Sequence, residues 1–238
     1  MSLLFWERKR KIINQITNNI MTHVVHPYSF RLGILRNWKS NWFNSKKYKS
    51  FLKGDVLIRE WLEKKMRGMY IDSIDIERSR DTFRVIVKTS RPGLVIGRKG
   101  ENVEKFKKSI AKMFKKLDLE PYRKLDFTVE EVRYPESRAA IVSQTIAESL
   151  ERRFPFRRVI KQTVEKVMMN KNVKGVKIAL SGRLGGAEMS RREWLGKGKM
   201  PLQTMGADID FAKERAHLPY GDVGIKVWIY REDDENNK

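Results

Sequence analysis

The stretch RPGLVIGRKGENVEKFKKSIAKMFKKL, Arg91 to Leu117, constrains this chain more than any other. A short apolar run, Leu94, Val95 and Ile96, leads into Gly97-Arg98-Lys99-Gly100, and a helical pattern starts at Glu101. Glycine at both ends of the tetrapeptide removes side-chain bulk, so the loop can approach another backbone closely. The helix behind it aims unpaired N–H groups at the same spot, a ready anion site. Arg98 and Lys99 add two positive charges at the tip. Such a loop is suited to gripping the sugar-phosphate backbone of a single nucleic-acid strand. A Gly-x-x-Gly tetrapeptide by itself is usually an ordinary turn, so its setting has to carry the reading.

At 238 residues the chain has room for one large or two medium domains. Lysine and arginine number 51 against 29 acids, a formal charge of +22. An excess of that size bears on partners rather than fold, and points to nucleic acid or an acidic membrane. No run reaches the roughly 20 apolar residues a membrane span needs, and the structured pattern described below favours nucleic acid as the polyanion. Cysteine is absent, which excludes disulfides, thiol catalysis and cysteine zinc sites, and fits a reducing compartment such as the cytoplasm. His23, His26 and His217 do not cluster, and no metal or cofactor is expected. The start, MSLLFWERKRKII, places its apolar run before its basic group, the reverse of a signal peptide. It reads as a basic arm. An organellar presequence, or an upstream start ahead of Met21, stays open.

The chain divides into a basic extension (1–53), a first folded unit (54–134), a second (135–231) and an acidic tail (232–238). Residues 22–53 contain no acid. There Arg31, Arg36, Lys39, Lys46, Lys47, Lys49 and Lys53 are interleaved with Trp38, Trp42, Phe43, Tyr48 and Phe51. That mixture suits stacking on exposed bases, or packing of an irregular segment onto the next domain. Asp55 is placed to cap a helix carrying Ile58, Leu62 and Met66 on one face, ended by Gly68. Ile74 and Ile76, then Phe83, Val85 and Val87, alternate as two strands around a turn at Arg78–Asp81. The helix from Glu101 has the stripe Val103, Phe106, Ile110, Phe114 and Leu117, with lysines over the rest of its surface, and a strand follows at about Lys124–Val132.

In the second unit Ala139, Val142, Ile146 and Leu150 predict a helix stopped at Phe154 by Pro155. A second helix from about Phe156 carries Phe156, Ile160, Thr163 and Val167 on its apolar side. At about 100° per residue, Arg157, Arg158 and Lys161 share the opposite arc with Glu165. Strands are expected around Val176–Leu180, Ala187–Trp194, Gly206–Glu214 and Ile225–Ile229. The fold class is therefore α+β, with the second unit a two-helix layer on an antiparallel sheet.

The order helix, strand, strand, glycine loop between helices, strand resembles a type II KH domain. The longer matches HPYSFRLGI (26–34), RPGLVIGRKGENVEK (91–105), EVRYPE (131–136), LERRFPFRRVIKQ (150–162), VKGVKIALSGRLGGAEMSRREW (173–194) and GIKVWIY (224–230) resemble the small-subunit ribosomal protein three family in its bacterial or organellar form. The resemblance covers nearly all of Met21 to Arg231. It implies a structural constituent of the small ribosomal subunit that binds rRNA in the head beside ribosomal proteins ten and fourteen. It also implies a role in lining the mRNA entrance and assisting passage of structured mRNA. On that footing the RNA-binding loop is Gly97, Arg98, Lys99 and Gly100, and the mRNA entrance is lined by Arg157, Arg158 and Lys161. Further rRNA contacts are expected at Arg31, Arg36, Lys39, Arg183, Arg191 and Arg192. Three departures stand out: the residues before Met21, a longer connection at Lys115–Tyr122, and an end soon after GIKVWIY.

Gly182-Arg183-Leu184-Gly185-Gly186 lacks the Lys-Ser/Thr of a nucleotide loop and reads as a turn. Acid pairs such as Glu130-Glu131 and Asp208/Asp210 have no histidine or nucleophile beside them and suit salt bridges. No catalytic constellation is visible, so the chain is not expected to be an enzyme. A free KH-type RNA chaperone or assembly factor is the alternative, and a strand-cleaving enzyme is a remote third.

Overall fold

The computed structural model describes residues 25–116 and 124–232, which form two α+β units, each a four-stranded sheet with helices on one face. Expectations for the first 24 residues, for Leu117–Tyr122 and for the acidic tail beyond Glu232 lie outside the described residues. The first unit comprises α1 (Pro27–Phe30), β1 (Ser40–Asn41), α2 (Tyr48–Lys65), β2 (Ile71–Arg78), β3 (Thr82–Thr89), α3 (Pro92–Ile96), α4 (Glu101–Lys116) and β4 (Lys124–Glu131). Its sheet order is β1-β2-β3-β4, with β2 and β3 antiparallel and β4 parallel to β3. Alternation sends Ile74, Ile76, Phe83, Val85 and Val87 to one face, where they meet Ile58 and Leu62 of α2 and Phe106, Ile110 and Phe114 of α4. Phe83 meets Phe114 edge-on at 4.9 Å, and Phe106 stacks on Phe127 at 5.5 Å.

Asp55 corrects one expectation. It does not cap α2, which starts seven residues earlier at Tyr48; it sits inside the helix and is fully buried. Its carboxylate receives both Nε (2.9 Å) and Nη2 of the buried Arg78, Trp42 Nε1 at 2.7 Å and Ser40 Oγ at 3.0 Å. The Arg78 guanidinium lies 4.8 Å from the ring centroids of both Phe51 and Phe83. One carboxylate thus ties α2, the end of β2 and the segment around β1 into a single core.

The second unit runs α5 (Ala139–Glu151), α6 (Phe156–Met168), β5 (Val173–Gly182), β6 (Arg191–Gly198), β7 (Asp208–Leu218) and β8 (Gly221–Arg231). The sheet is fully antiparallel in the order β6-β5-β8-β7. Val176, Ile178, Leu180, Val223, Ile225 and Val227 pack against Ile146 and Leu150 of α5 and Ile160, Val164 and Val167 of α6. Thr163, expected on the apolar stripe, is only partly buried, whereas Val159 and Val164 are buried. Helix α5 ends at Glu151, before Phe154, through a turn in which Arg153 has φ 63°. The strand expected from Ala187 begins only at Arg191, because Leu184–Gly186 forms a 3-10 turn that buries Leu184.

The two units meet along a polar seam. The Gln144 side-chain amide both receives the Ile71 N–H (3.1 Å) and donates to the Ile71 carbonyl (2.8 Å), as a neighbouring strand would. Tyr70 donates to Glu148, Arg67 pairs with Glu151 at 2.5 Å, and Arg138 lies 3.7 Å from Asp72.

Candidate nucleic-acid interface

The glycine loop stands at the junction of α3 and α4 and is open to solvent: Arg98 and Lys99 are exposed. Gly97 has φ 72° and Gly100 φ 80°, backbone angles that side chains with a Cβ rarely adopt. A Cβ on Gly97 would lie 2.6 Å from Asn102 Nδ2, while one on Gly100 would meet nothing. Both glycines are therefore required by backbone angle, and Gly97 by space as well. The first turn of α4 already carries Glu101 and Glu104, and Glu101 pairs with Lys105, whose hydrogen bond holds its carboxyl below the usual range. The positive end of the helix is partly answered from within, so Arg98 and Lys99 carry most of the attraction for phosphate. Leu94 and Ile96 remain half exposed beside the loop and offer an apolar surface to a base, a feature the sequence reading passed over.

Arg157, Arg158 and Lys161 are all exposed on the outer side of α6, as the helix arithmetic predicts. Arg157 is anchored: Glu193 of β6 accepts from its Nε (3.3 Å) and Nη2 (3.2 Å), a hydrogen bond that raises the guanidinium pKa. The 3-10 turn packs against this helix start, with Gly185 beside Phe156 and Gly186 beside Tyr220. Arg183 is partly buried there; its Nε donates to the Ala187 carbonyl at 2.9 Å, and its guanidinium carbon lies 5.7 Å from the Tyr220 ring centroid. Arg191 and Arg192 are exposed at the start of β6. Arg157, Arg183, Arg191 and Arg192 thus gather at one end of the second unit, although 26 residues separate Arg157 from Arg183 in the chain.

Two expected rRNA contacts are corrected. Arg31 is fully buried, donating to the carbonyls of Pro27 (3.0 Å), Ala207 (2.6 Å), Leu202 (3.2 Å) and Thr204 (2.8 Å). Arg36 is largely covered and pairs with Asp208 at 2.6 Å, with Asp210 3.9 Å away. Arg231 completes that cluster 2.8 Å from Asp208. Burial opposes the charge on Asp210, but Arg231 and Arg36 outweigh it and hold the carboxyl below its usual range. Both arginines fasten the N-terminal segment to the second unit, and Arg31, fully buried, is closed to RNA. Lys39 stays exposed. The aromatics divide likewise: Trp42 packs on Tyr48 and Phe51, while Trp38 and Phe43 face solvent.

Among the described residues no group of histidines and carboxylates is placed to hold a metal ion, and no helix is long and apolar enough to cross a membrane. The KH domain family matches residues 57–137, and the family described as ribosomal protein S3, C-terminal domain, matches residues 146–229. Small ribosomal subunit protein uS3 of Syntrophomonas wolfei is 43% identical over 211 residues, 89% of both chains. The protein of that name from Maridesulfovibrio salexigens is 43% identical over 89% of this chain and 95% of its own. That of Pseudomonas aeruginosa is 42% identical over 89% and 90%. Sequence, fold and these matches agree that the chain belongs to the family of small ribosomal subunit protein uS3, structural ribosomal proteins and not enzymes.

Proposed function

We propose that the chain is a fixed part of the small-subunit head, holding rRNA through Gly97–Gly100 and lining the mRNA entrance with Arg157, Arg158 and Lys161. The observation that carries this reading is the exposed basic arc of α6, pinned to β6 through Arg157 and Glu193. An anchored guanidinium meets a passing phosphate with little loss of side-chain freedom. Charges fixed along the entrance favour single strands whose phosphates they can reach, so a hairpin is opened by strand capture while the ribosome moves. No hydrolytic step in this chain is needed. Lys39, Arg183, Arg191 and Arg192 extend the rRNA contact surface in this reading. Contacts with ribosomal proteins ten and fourteen, which the family resemblance implies, and residence in cytoplasmic rather than organellar ribosomes are part of this reading. The free RNA-chaperone alternative is disfavoured because residues 146–229 match a ribosomal domain.

The test is translation by ribosomes carrying Arg157→Ala, Arg158→Ala and Lys161→Ala together. Hairpin-containing messages are expected to slow by at least several-fold relative to unstructured ones, with small-subunit assembly intact. Equal losses on both messages would overturn the assignment.

A further inference from the structure

The sheet of the second unit has two faces: α5 and α6 cover one, and on the other the N-terminal segment reaches only the β7 side, where His26 lies edge-on to Phe211 at 4.8 Å. Cross-strand partners share a face, so the pairs Trp194–Ala179, Ala179–Lys226, Lys177–Trp228, Trp228–Phe211 and Lys226–Lys213 all lie on the helix-free side. Near Ile209 that side is closed by Ala207 and Met200, in the stretch whose carbonyls Arg31 binds. The β6 end is open. There Trp194 is 63% exposed on an edge strand and lies beside Gly196, where a side chain would reach its ring at 3.8 Å. The Lys177 ammonium sits 4.9 Å from the Trp194 ring centroid and 5.7 Å from that of Trp228.

The charge on this face is nearly all of one sign. By register it presents Lys177, Lys213, Lys226, Arg192 and Arg215, against Asp222, which is held by His217 at 2.6 Å. The helix-free face of the first sheet is more evenly mixed: Asp75, Glu77, Asp126 and Glu130 there stand against Arg84, Lys88 and Lys124, with Lys124 3.3 Å from Asp126. An uncovered indole among lysines matches unpaired bases and phosphates together, whereas a protein partner would have to bury several ammonium groups.

We propose that this face is a second platform for single-stranded RNA, with Trp194 stacking on an unpaired base and Lys177, Lys213, Lys226 and Arg192 holding phosphates. It rests on the reading of the chain as RNA-binding but uses neither the glycine loop nor Arg157. Glu193, which anchors Arg157, and Trp194 are adjacent on opposite faces of β6, so a strand leaving the α6 arc has the platform directly behind that edge.

Binding of a fluorescein-labelled oligouridylate and of a blunt RNA duplex to the full chain tests it, at one fixed salt concentration. Trp194→Ala is expected to weaken oligouridylate binding roughly tenfold, Trp194→Phe to keep most of it, and neither to change duplex binding. The Trp194 effect should persist in a Gly100→Asp background, which separates the platform from the glycine loop. An unchanged affinity in Trp194→Ala overturns the platform, whether or not Gly100→Asp weakens binding. An equal loss on the duplex also overturns it. In assembled small subunits, a photo-crosslinker at position 194 should capture RNA, and capture of protein alone would overturn the proposal.

Discussion

Asp55→Ala should be among the most destabilising single changes in this protein. The carboxylate is fully buried, and the side chain of its partner Arg78 is 2% exposed. Truncation removes an acceptor shared by Arg78, Trp42 and Ser40 and takes the Asp55 carboxylate away from a guanidinium that faces aromatic rings. Removing one partner of a buried ion pair costs about 3–5 kcal/mol, most of it the uncompensated charge. If the first unit melts as a domain of about 100 residues, that corresponds to a fall in Tm of roughly 12–40 °C. Urea and thermal unfolding of the full chain, followed by tryptophan fluorescence, report it directly, since Trp42 and Trp61 lie in this unit. Asp55→Ala with Arg78→Met should recover a large part of the loss, because an apolar replacement of the whole pair removes the stranded charge. A cost below about 1 kcal/mol for Asp55→Ala, the range of exposed pairs, would refute the reasoning.

The two loop glycines should separate in experiment. Gly97→Asp collides with Asn102 and is expected to lower stability by about 1–3 kcal/mol, whereas Gly100→Asp should weaken RNA binding with a smaller change in unfolding midpoint. Gly175→Ala would place its Cβ 1.8 Å from the Lys199 carbonyl oxygen and should cost more than about 3 kcal/mol, while Gly196→Ala, with its nearest atom at 3.4 Å, should be nearly silent in the same melts. Burial, then the charge of Asp210, raises the Asp72 pKa from its ordinary 3.8. The stability this group contributes is complete below pH 3.8 and is lost as pH rises through the folded value. Asp72→Asn should therefore match the parent in urea midpoint near the acid end and exceed it at neutral pH. A lower midpoint at neutral pH would show that the Arg138 pair outweighs burial.

What the sequence made legible was periodic or local. Alternation at Ile74–Ile76 and Phe83–Val87 marks the strands because one sheet face is dry and the other wet. The glycine loop is legible because its backbone angles admit few other residues. What escaped depends on partners far along the chain. Asp55 has the residue type of a helix cap, and nothing near it announces Arg78. Arg31 and Arg36 sit in a stretch without acids, so they read as free cations, yet their partners lie some 170 residues later. Trp194 and Trp228 carry the same side chain on the same face; one is open because β6 is an edge and β8 is interior.

The interior position of Arg31 imposes an order on synthesis. Its deepest acceptor, the Ala207 carbonyl, is 176 residues downstream, beyond the whole KH unit. At ribosomal rates of about 5–20 residues per second, the arginine waits roughly ten to thirty-five seconds before its acceptors in the second unit are made. During that interval the KH core can close on its own strands while the segment ahead of it stays undocked and positively charged. A chain growing among nucleic acids therefore carries a temporary cationic flag that only its last strands take down, and a nascent-chain binding partner of acidic character would have that interval in which to act.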